Sequence, residues 1–335
     1  MISKLFQRNE TYLFFVIMAF SFFVTVMNPS FLTVENMFDL VKSSSGMAIL
    51  AIAFFVGLLS RGIDISFPAI AIAGQYIAVN ALIAMGVDSL PLAFLISCAV
   101  GTAMGATNAF FISSFRMQAL IVTLGTSNIF HGALLVFVGT RAINTGKLPH
   151  CFKAFGHMNV LTLARPDGTL YGLSVFAVLL LFVIILTWFI LNHTLLGKSI
   201  YAVGGNYESA KRAGFNIKRT LFFVYGYIGF LSGIMGVMHL SLIRYSNPNY
   251  IVDTELLRVI AAVVIGGARI TGGSGTLTGT LLGVIMMVIL EKNLVLIGLS
   301  SYWHQFFIGL VIVLGVSITY YQSKRQNRRN LLFTD

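Results

Sequence analysis

The sequence predicts an all-α fold: a polytopic transmembrane helical bundle of about ten helices, with the N- and C-termini both inside (N-in and C-in). Three observations predict it. Hydrophobic residues make up 57% of the 335-residue chain and charged residues only 10%. Soluble domains carry roughly 25% charged residues, so a water-soluble fold of this size lacks the polar side chains to cover its surface. The apolar residues also fall into runs of about 20, the length a helix needs to cross a hydrocarbon core. Finally, Gly (32) and Phe (29) are abundant, which fits membrane helices, where small residues let backbones approach closely.

Taken in order, the predicted spans are 11–28, 44–60, 66–86, 91–114, 118–139, 172–193, 220–243, 255–268, 275–293 and 302–321. The first follows Lys4 and Arg8 and has no small-residue cleavage site, so it is expected to be an uncleaved helix rather than a signal peptide. The eighth is too short to cross alone. Its Gly-rich flanks suit a broken or half helix shielded by protein. Two connections are long: 140–171, expected outside, and 194–219, expected inside and helical at its centre. The other connections are short, so residues 1–335 are expected to form a single transmembrane domain.

Orientation follows from Lys and Arg. With the N-terminus inside, ten spans place fourteen of the 22 basic residues inside and eight outside. The inside stretches are also the shorter ones, which sharpens the bias. This asymmetry accounts for the net charge of +11 without a nucleic-acid partner; membrane lipid is the expected surrounding. Cys98 and Cys151 suggest neither a disulfide framework nor a metal site.

Enzymatic motifs are lacking. The nearest approach to a Walker A string, Gly139 to Gly146-Lys147-Leu148, has the wrong spacing and no Ser or Thr for magnesium. No zinc-protease motif, Cys/His cluster or Ser-His-Asp order stands out. The chain is expected to hydrolyse no ATP, to bind no metal and to have no catalytic residues.

Polar residues inside the spans are few. Asp64, Gln75, Asn108, Thr123, Ser127, Asn128 and His131 are the candidates for lining a pore, with Thr123 to Asn128 the densest stretch. Interhelical hydrogen bonding is the alternative for each. For Asp64 the favoured alternative is a helix N-cap. Small residues four apart share a helix face and allow close crossing. Gly101 and Gly105 form one such face and Gly275, Gly279 and Gly283 another, while Gly266, Gly267, Gly272 and Gly273 are further candidates for helix packing. The segments Ser60-Arg61-Gly62-Ile63-Asp64-Ile65-Ser66 and Ala268-Arg269-Ile270-Thr271-Gly272-Gly273-Ser274 echo each other between helices. That echo fits an internal repeat, or chance similarity of two Gly-rich hairpins.

The most informative stretch is Gly204-Gly205-Asn206-Tyr207-Glu208-Ser209-Ala210-Lys211-Arg212-Ala213-Gly214-Phe215-Asn216-Ile217. Asn206 is a candidate N-cap. Glu208 in the first turn and Lys211 and Arg212 in the last suit the helix dipole, and Gly214 suits the stop. A helix of about two turns is marginal alone in water but makes sense docked into another protein.

This stretch resembles the coupling-helix region of ribose/arabinose/galactose-type ABC importer permeases. Gly62-Ile63-Asp64-Ile65-Ser66 is similar to that family's Gly-Ile-Asp-Leu-Ser, and Ala119 to Gly125 to its Thr-Leu-Gly helix. Ala261 to Gly267, with Gly272-Gly273-Ser274-Gly275 and Gly279-Thr280, resembles its most distinctive signature. The resemblance covers about 45–320. It implies ten helices in the bacterial inner membrane, and a complex with a second permease copy or paralogue and an extracytoplasmic solute-binding protein. It also implies cytoplasmic ABC ATPase subunits, which would carry the ATP and magnesium. Gly204, Gly205, Asn206, Glu208, Ala210, Lys211, Arg212 and Gly214 would couple this chain to the ATPase. The implied cargo is a small sugar or a sugar-like solute, such as autoinducer-2 or another small polyol. A secondary transporter working alone and a scaffold with a degenerate pore are the other classes. The sequence departs from the family pattern at Arg61 (usually Gly), Phe67-Pro68, Gln118, His131 and Ala268-Arg269.

Overall fold

The computed structural model describes residues 9–165, 168–249 and 253–296, together with positions 303, 305, 306, 309, 310 and 313. The rest of the predicted tenth span, and the basic cluster from Lys324 to Arg329, lie outside the described residues. Among those described, seven helices are long and apolar enough to cross a membrane.

The first, α1 (Asn9–Met27), leads through a 3₁₀ turn (Pro29–Leu32) into α2 (Val34–Leu59). Thr33 caps α2 by accepting from the Asn36 N–H at 3.4 Å. This helix starts ten residues before the predicted span. Glu35, Asp39 and Lys42 interrupt the apolar run but sit in the first turns, where polar side chains do not stop a helix. From Met47 to Leu59 every residue of α2 is buried, which makes it a central post of the bundle. Next come α3 (Phe67–Met85) and α4 (Leu90–Phe115). Each has a proline in its first turn, where the missing N–H costs no hydrogen bond. Then α5 (Ala119–Ala133) loosens into a π turn over Leu134–Val138.

Residues 140–174 hold the one clear departure from an all-α chain among the described residues. A short helix, α6 (His150–His157), is followed by an antiparallel pair, β1 (Asn159–Ala164) and β2 (Leu170–Ser174). The predicted span 172–193 therefore begins as strand and becomes α7 only at Val175, running to His193. An Arg165–Glu35 ion pair ties this hairpin to the start of α2. The 194–219 connection contains α8 (Leu195–Gly205) and α9 (Tyr207–Arg212). After it come α10 (Ile217–Ile243), α11 (Asp253–Ile265) and α12 (Leu277–Leu296). Among the described residues α11 has 13 residues.

The core forms where α10 packs on α2, α3 and α4. Its contact with α4 is backbone on backbone. A Cβ placed on Gly101 would overlap the Gly229 carbonyl, one on Gly105 the Tyr225 carbonyl, and one on Gly233 would fall 2.6 Å from the Ser97 carbonyl oxygen. The Ser97 hydroxyl donates to the Gly233 carbonyl at 2.8 Å across the same seam. The hairpin of α11 and α12 closes likewise, Gly279 against Gly266 and Gly283 against Ala262. Large apolar side chains remain on the outer faces of α1 and α7, among them Phe22, Phe23, Phe182 and Trp188. That placement suits hydrocarbon, which exerts no hydrophobic pressure to bury them.

Candidate functional site

The short helix α9 starts as the sequence predicts, with the Asn206 side chain accepting from the Ser209 N–H at 2.9 Å. Gly214, at φ +86°, provides the left-handed residue that ends it. The Phe215 N–H turns back to the Ala210 carbonyl at 3.2 Å. Ala210 is buried, whereas Glu208, Ser209, Lys211 and Arg212 face outward. The helix thus rests on Ala210 and the half-buried Tyr207 and presents a charged outer face.

What holds α9 in place is the chain just before it. Gly204 lies so close to the last turn of α2 that a Cβ would overlap the Leu59 carbonyl and fall 2.7 Å from the Gly273 nitrogen. That carbonyl accepts the Gly273 N–H at 3.0 Å. Gly273, at φ +72°, would place a Cβ 2.7 Å from the Gly205 Cα, and Gly272, at φ +84°, would place one 2.9 Å from the Arg61 Cα. Three segments therefore meet backbone to backbone: the end of α2, the end of α8, and the loop between α11 and α12. Gly272 and Gly273, expected from the sequence to serve helix packing, belong instead to this loop junction. Gly275 also lies in the loop, its Cβ position 2.9 Å from the Phe55 ring. Gly267 has φ +89° and ends α11. The two segments that echo each other in sequence, 60–66 and 268–274, lie against one another here. Arg61 occupies a left-handed turn at φ +65°, which is the physical reason a glycine suits this position.

Behind this junction the loop 62–66 is read by side chains from three helices. Asp64, fully buried, accepts from the Ser66 N–H at 2.7 Å and the Ser66 hydroxyl at 2.6 Å through one oxygen. From α4, Asn108 donates to the Ser66 hydroxyl at 2.8 Å. From α5, the Thr123 hydroxyl lies 3.3 Å from the Ile63 carbonyl and accepts from the Ile65 N–H at 3.3 Å. From α10, the Tyr225 hydroxyl fills the space that a side chain at Gly62 would need. The second Asp64 oxygen, the Asn108 carbonyl oxygen and the Tyr225 hydroxyl are all buried without a hydrogen-bond partner. Burial raises the Asp64 carboxyl to about 6, against the lowering effect of its two Ser66 bonds. The N-cap expectation for Asp64 is corrected in one respect. Its bonds stop at Ser66, so it orders the turn before α3 and leaves the first turn of that helix uncapped by a side chain.

The remaining pore candidates do not join this group. Gln75 donates to the Ser246 hydroxyl at 3.4 Å and lines a small cavity with Leu50, Pro68, Ala71, Ile72, Met235 and His239. On α5, Ser127 is half-buried, and Asn128 is exposed and bonded back to the Leu124 carbonyl at 2.9 Å. A ring nitrogen of His131 is 2.8 Å from the Pro248 carbonyl. The seven candidates thus fall into separate groups rather than around one channel within the chain. In the sequence Ser66 stands out only as part of the Gly62–Ser66 motif, and Tyr225, Gly229 and Gly233 in α10 do not stand out. The four-residue spacing of that glycine pair was the available signal.

Sequence similarity places the chain among import permeases. The chain is 30% identical over 299 residues to the ribose import permease protein RbsC of Escherichia coli strain K12, covering 88% of each chain. It is 30% identical over 319 residues to the autoinducer 2 import system permease protein LsrC of Enterobacter sp. strain 638, covering 94% of this chain and 87% of the relative. To the galactose/methyl galactoside import permease protein MglC of Haemophilus influenzae it is 28% identical over 333 residues, covering 94% of each. No solved structure matches. The profile of a transporter family matches residues 36–316, and the chain belongs to that family, described as branched-chain amino acid transport system / permease component.

Proposed function

We propose that this chain is the membrane-spanning permease subunit of an ATP-binding-cassette importer. It sits in the bacterial inner membrane with both termini in the cytoplasm, and it moves a small sugar or sugar-like solute delivered by an extracytoplasmic binding protein. The observation that carries the reading is the fastening of α9. A six-residue helix gains little from its own hydrogen bonds, yet Gly204 and Gly205 tie its base to both the end of α2 and the loop before α12. Such a helix is a lever, and its charged outer face suits the cleft of a cytoplasmic partner.

In this mechanism the ATPase subunits carry ATP and magnesium, and their closure displaces α9. The shift passes through the Leu59–Gly204–Gly273 junction into the helices. Access to the solute path then alternates, with a second permease copy or a paralogue forming the other half. Ribose and autoinducer-2 are both small, hydroxyl-rich solutes, and the relatives named for them support that class of cargo. Affinity purification of the tagged chain from gently solubilised native membranes tests the reading. It predicts recovery of an ATPase subunit. Recovery of the chain alone, together with gradient-driven uptake in liposomes without ATP, would establish a self-sufficient carrier instead.

A further inference from the structure

We propose that the buried cluster of Asp64, Ser66, Asn108, Thr123 and Tyr225 is the inner anchor of the coupling junction, and that its members are positioning residues for the transfer of ATPase motion into α4, α5 and α10. The inference rests on the permease reading above and deepens it.

Two sets of contacts meet on one short loop. On its outer side, the Leu59 carbonyl and Arg61 backbone touch Gly204, Gly272 and Gly273. On its inner side, the next five residues are gripped by α4 through Asn108, by α5 through Thr123 and by α10 through Tyr225. Backbone-to-backbone contact leaves no soft side chain to absorb a displacement at Gly204. Whatever moves the base of α9 therefore moves this loop. The loop passes the motion to α2 and α3 along the chain itself, and to α4, α5 and α10 through the side chains that hold it.

Packing alone does not explain the cluster's chemistry. Asp64, Asn108 and Tyr225 are buried and each keeps a polar atom unpartnered. Thr123 and Asp64 satisfy backbone groups of the loop, but the second Asp64 oxygen, the Asn108 carbonyl oxygen and the Tyr225 hydroxyl serve no bond in this arrangement, and an unpartnered buried polar atom is destabilising. Unused donors and acceptors around a hinge leave room for a second hydrogen-bonded arrangement. That property suits an element that must shift and return.

The test uses the purified complex with its ATPase, in a chain whose Cys98 and Cys151 are replaced by alanine and which carries Ser127→Cys on α5. Thiol reactivity towards a maleimide is measured with and without ADP–vanadate trapping, alongside ATP hydrolysis and thermal stability. Trapping is expected to change the reactivity of the otherwise unaltered complex. Thr123→Val, nearly isosteric, and Asn108→Leu should still assemble and hydrolyse ATP. In both, the vanadate-dependent change should shrink roughly two- to tenfold, the equivalent of about one net hydrogen bond. Asp64→Asn, which keeps an acceptor for Ser66, should retain the change, and Asp64→Ala should lose it. Variants that assemble and keep the full change overturn the anchor while leaving the permease reading intact, as does an otherwise unaltered complex whose introduced α5 thiol ignores vanadate. Failure of the unaltered chain to recover any ATPase overturns both.

Discussion

Gly204 and Leu59 meet with no room for a methyl group between them: the α-carbon of one lies against the carbonyl oxygen of the other, and that oxygen already accepts the Gly273 N–H. Gly205, one residue on, has open space at its Cβ position. Gly204→Ala is therefore expected to destabilise the chain by about 1–3 kcal/mol through overpacking against backbone. Gly205→Ala should stay within about 0.5 kcal/mol of the parent. Thermal unfolding in detergent of the two neighbouring variants checks this. Equal effects would show that the junction is looser than these contacts require.

The same reasoning applies to the seam between α4 and α10. Gly101 and Gly229 each face the other's carbonyl, so Gly101→Ala and Gly229→Ala should each cost about 1–3 kcal/mol. Once the helices have been pushed apart by one methyl group, the second meets less resistance. The double variant is therefore expected to cost less than the sum, as is usual for residues in contact. Gly125 has nothing near its Cβ position, and Gly125→Ala is the matched control, expected to be nearly silent. A double-mutant cycle on the detergent-solubilised chain measures all of these.

The sequence carried the helices well because each signal was local. The apolar runs of α3 and α4, the Asn206 cap and the Gly214 stop depend on residues within a few positions of one another. The β1–β2 hairpin had a local signal too, Arg165-Pro166-Asp167-Gly168-Thr169, a strong turn sequence. It was missed because the strand Leu170–Ser174 runs directly into the apolar α7 and merges with that span. The loop junction was not legible, since Leu59, Gly204 and Gly273 are far apart in the chain and a glycine does not reveal its partner. Tyr225 was hidden for a similar reason: a tyrosine in an apolar helix suggests nothing until Gly62 is seen beneath its hydroxyl. The pore candidates share polarity but not a neighbourhood, and polarity was all the sequence offered.

The outer face of α9 separates folding from docking. Asn206→Ala removes the bond to the Ser209 N–H and should cost about 1 kcal/mol of local stability, as N-cap losses typically do. Glu208→Lys touches an exposed side chain, so the chain's own stability should change by less than about 0.5 kcal/mol. Its effect is expected on the partner instead, since reversing a charge at an interface alters complementarity. Co-purification of the ATPase should fall for Glu208→Lys while the unfolding temperature of the isolated chain holds. Full ATPase recovery and full transport in both Gly205→Arg and Glu208→Lys would remove this helix from the proposed interface.

Asp64 makes a prediction with a definite sign. It lies in the loop between α2 and α3, outside both spans, and burial raises its carboxyl from 3.8 to about 6. The folded chain therefore holds the proton more tightly than the unfolded chain does. As pH rises from about 4 to 6, the unfolded chain has already released its proton and the folded chain has not, so stability falls across that window. Above pH 6 the folded chain carries a buried carboxylate whose deficit levels off at about 3 kcal/mol. Asp64→Asn cannot ionise, and its carboxamide still offers an acceptor to Ser66. It should match the parent near pH 4 and exceed it at pH 8, with the gap opening between those limits. Unfolding in detergent across that pH range reads this directly. A parent chain whose stability instead increased from pH 4 to 6 relative to Asp64→Asn would mean that a cation, or the unpartnered Tyr225 hydroxyl, stabilises the ionised form.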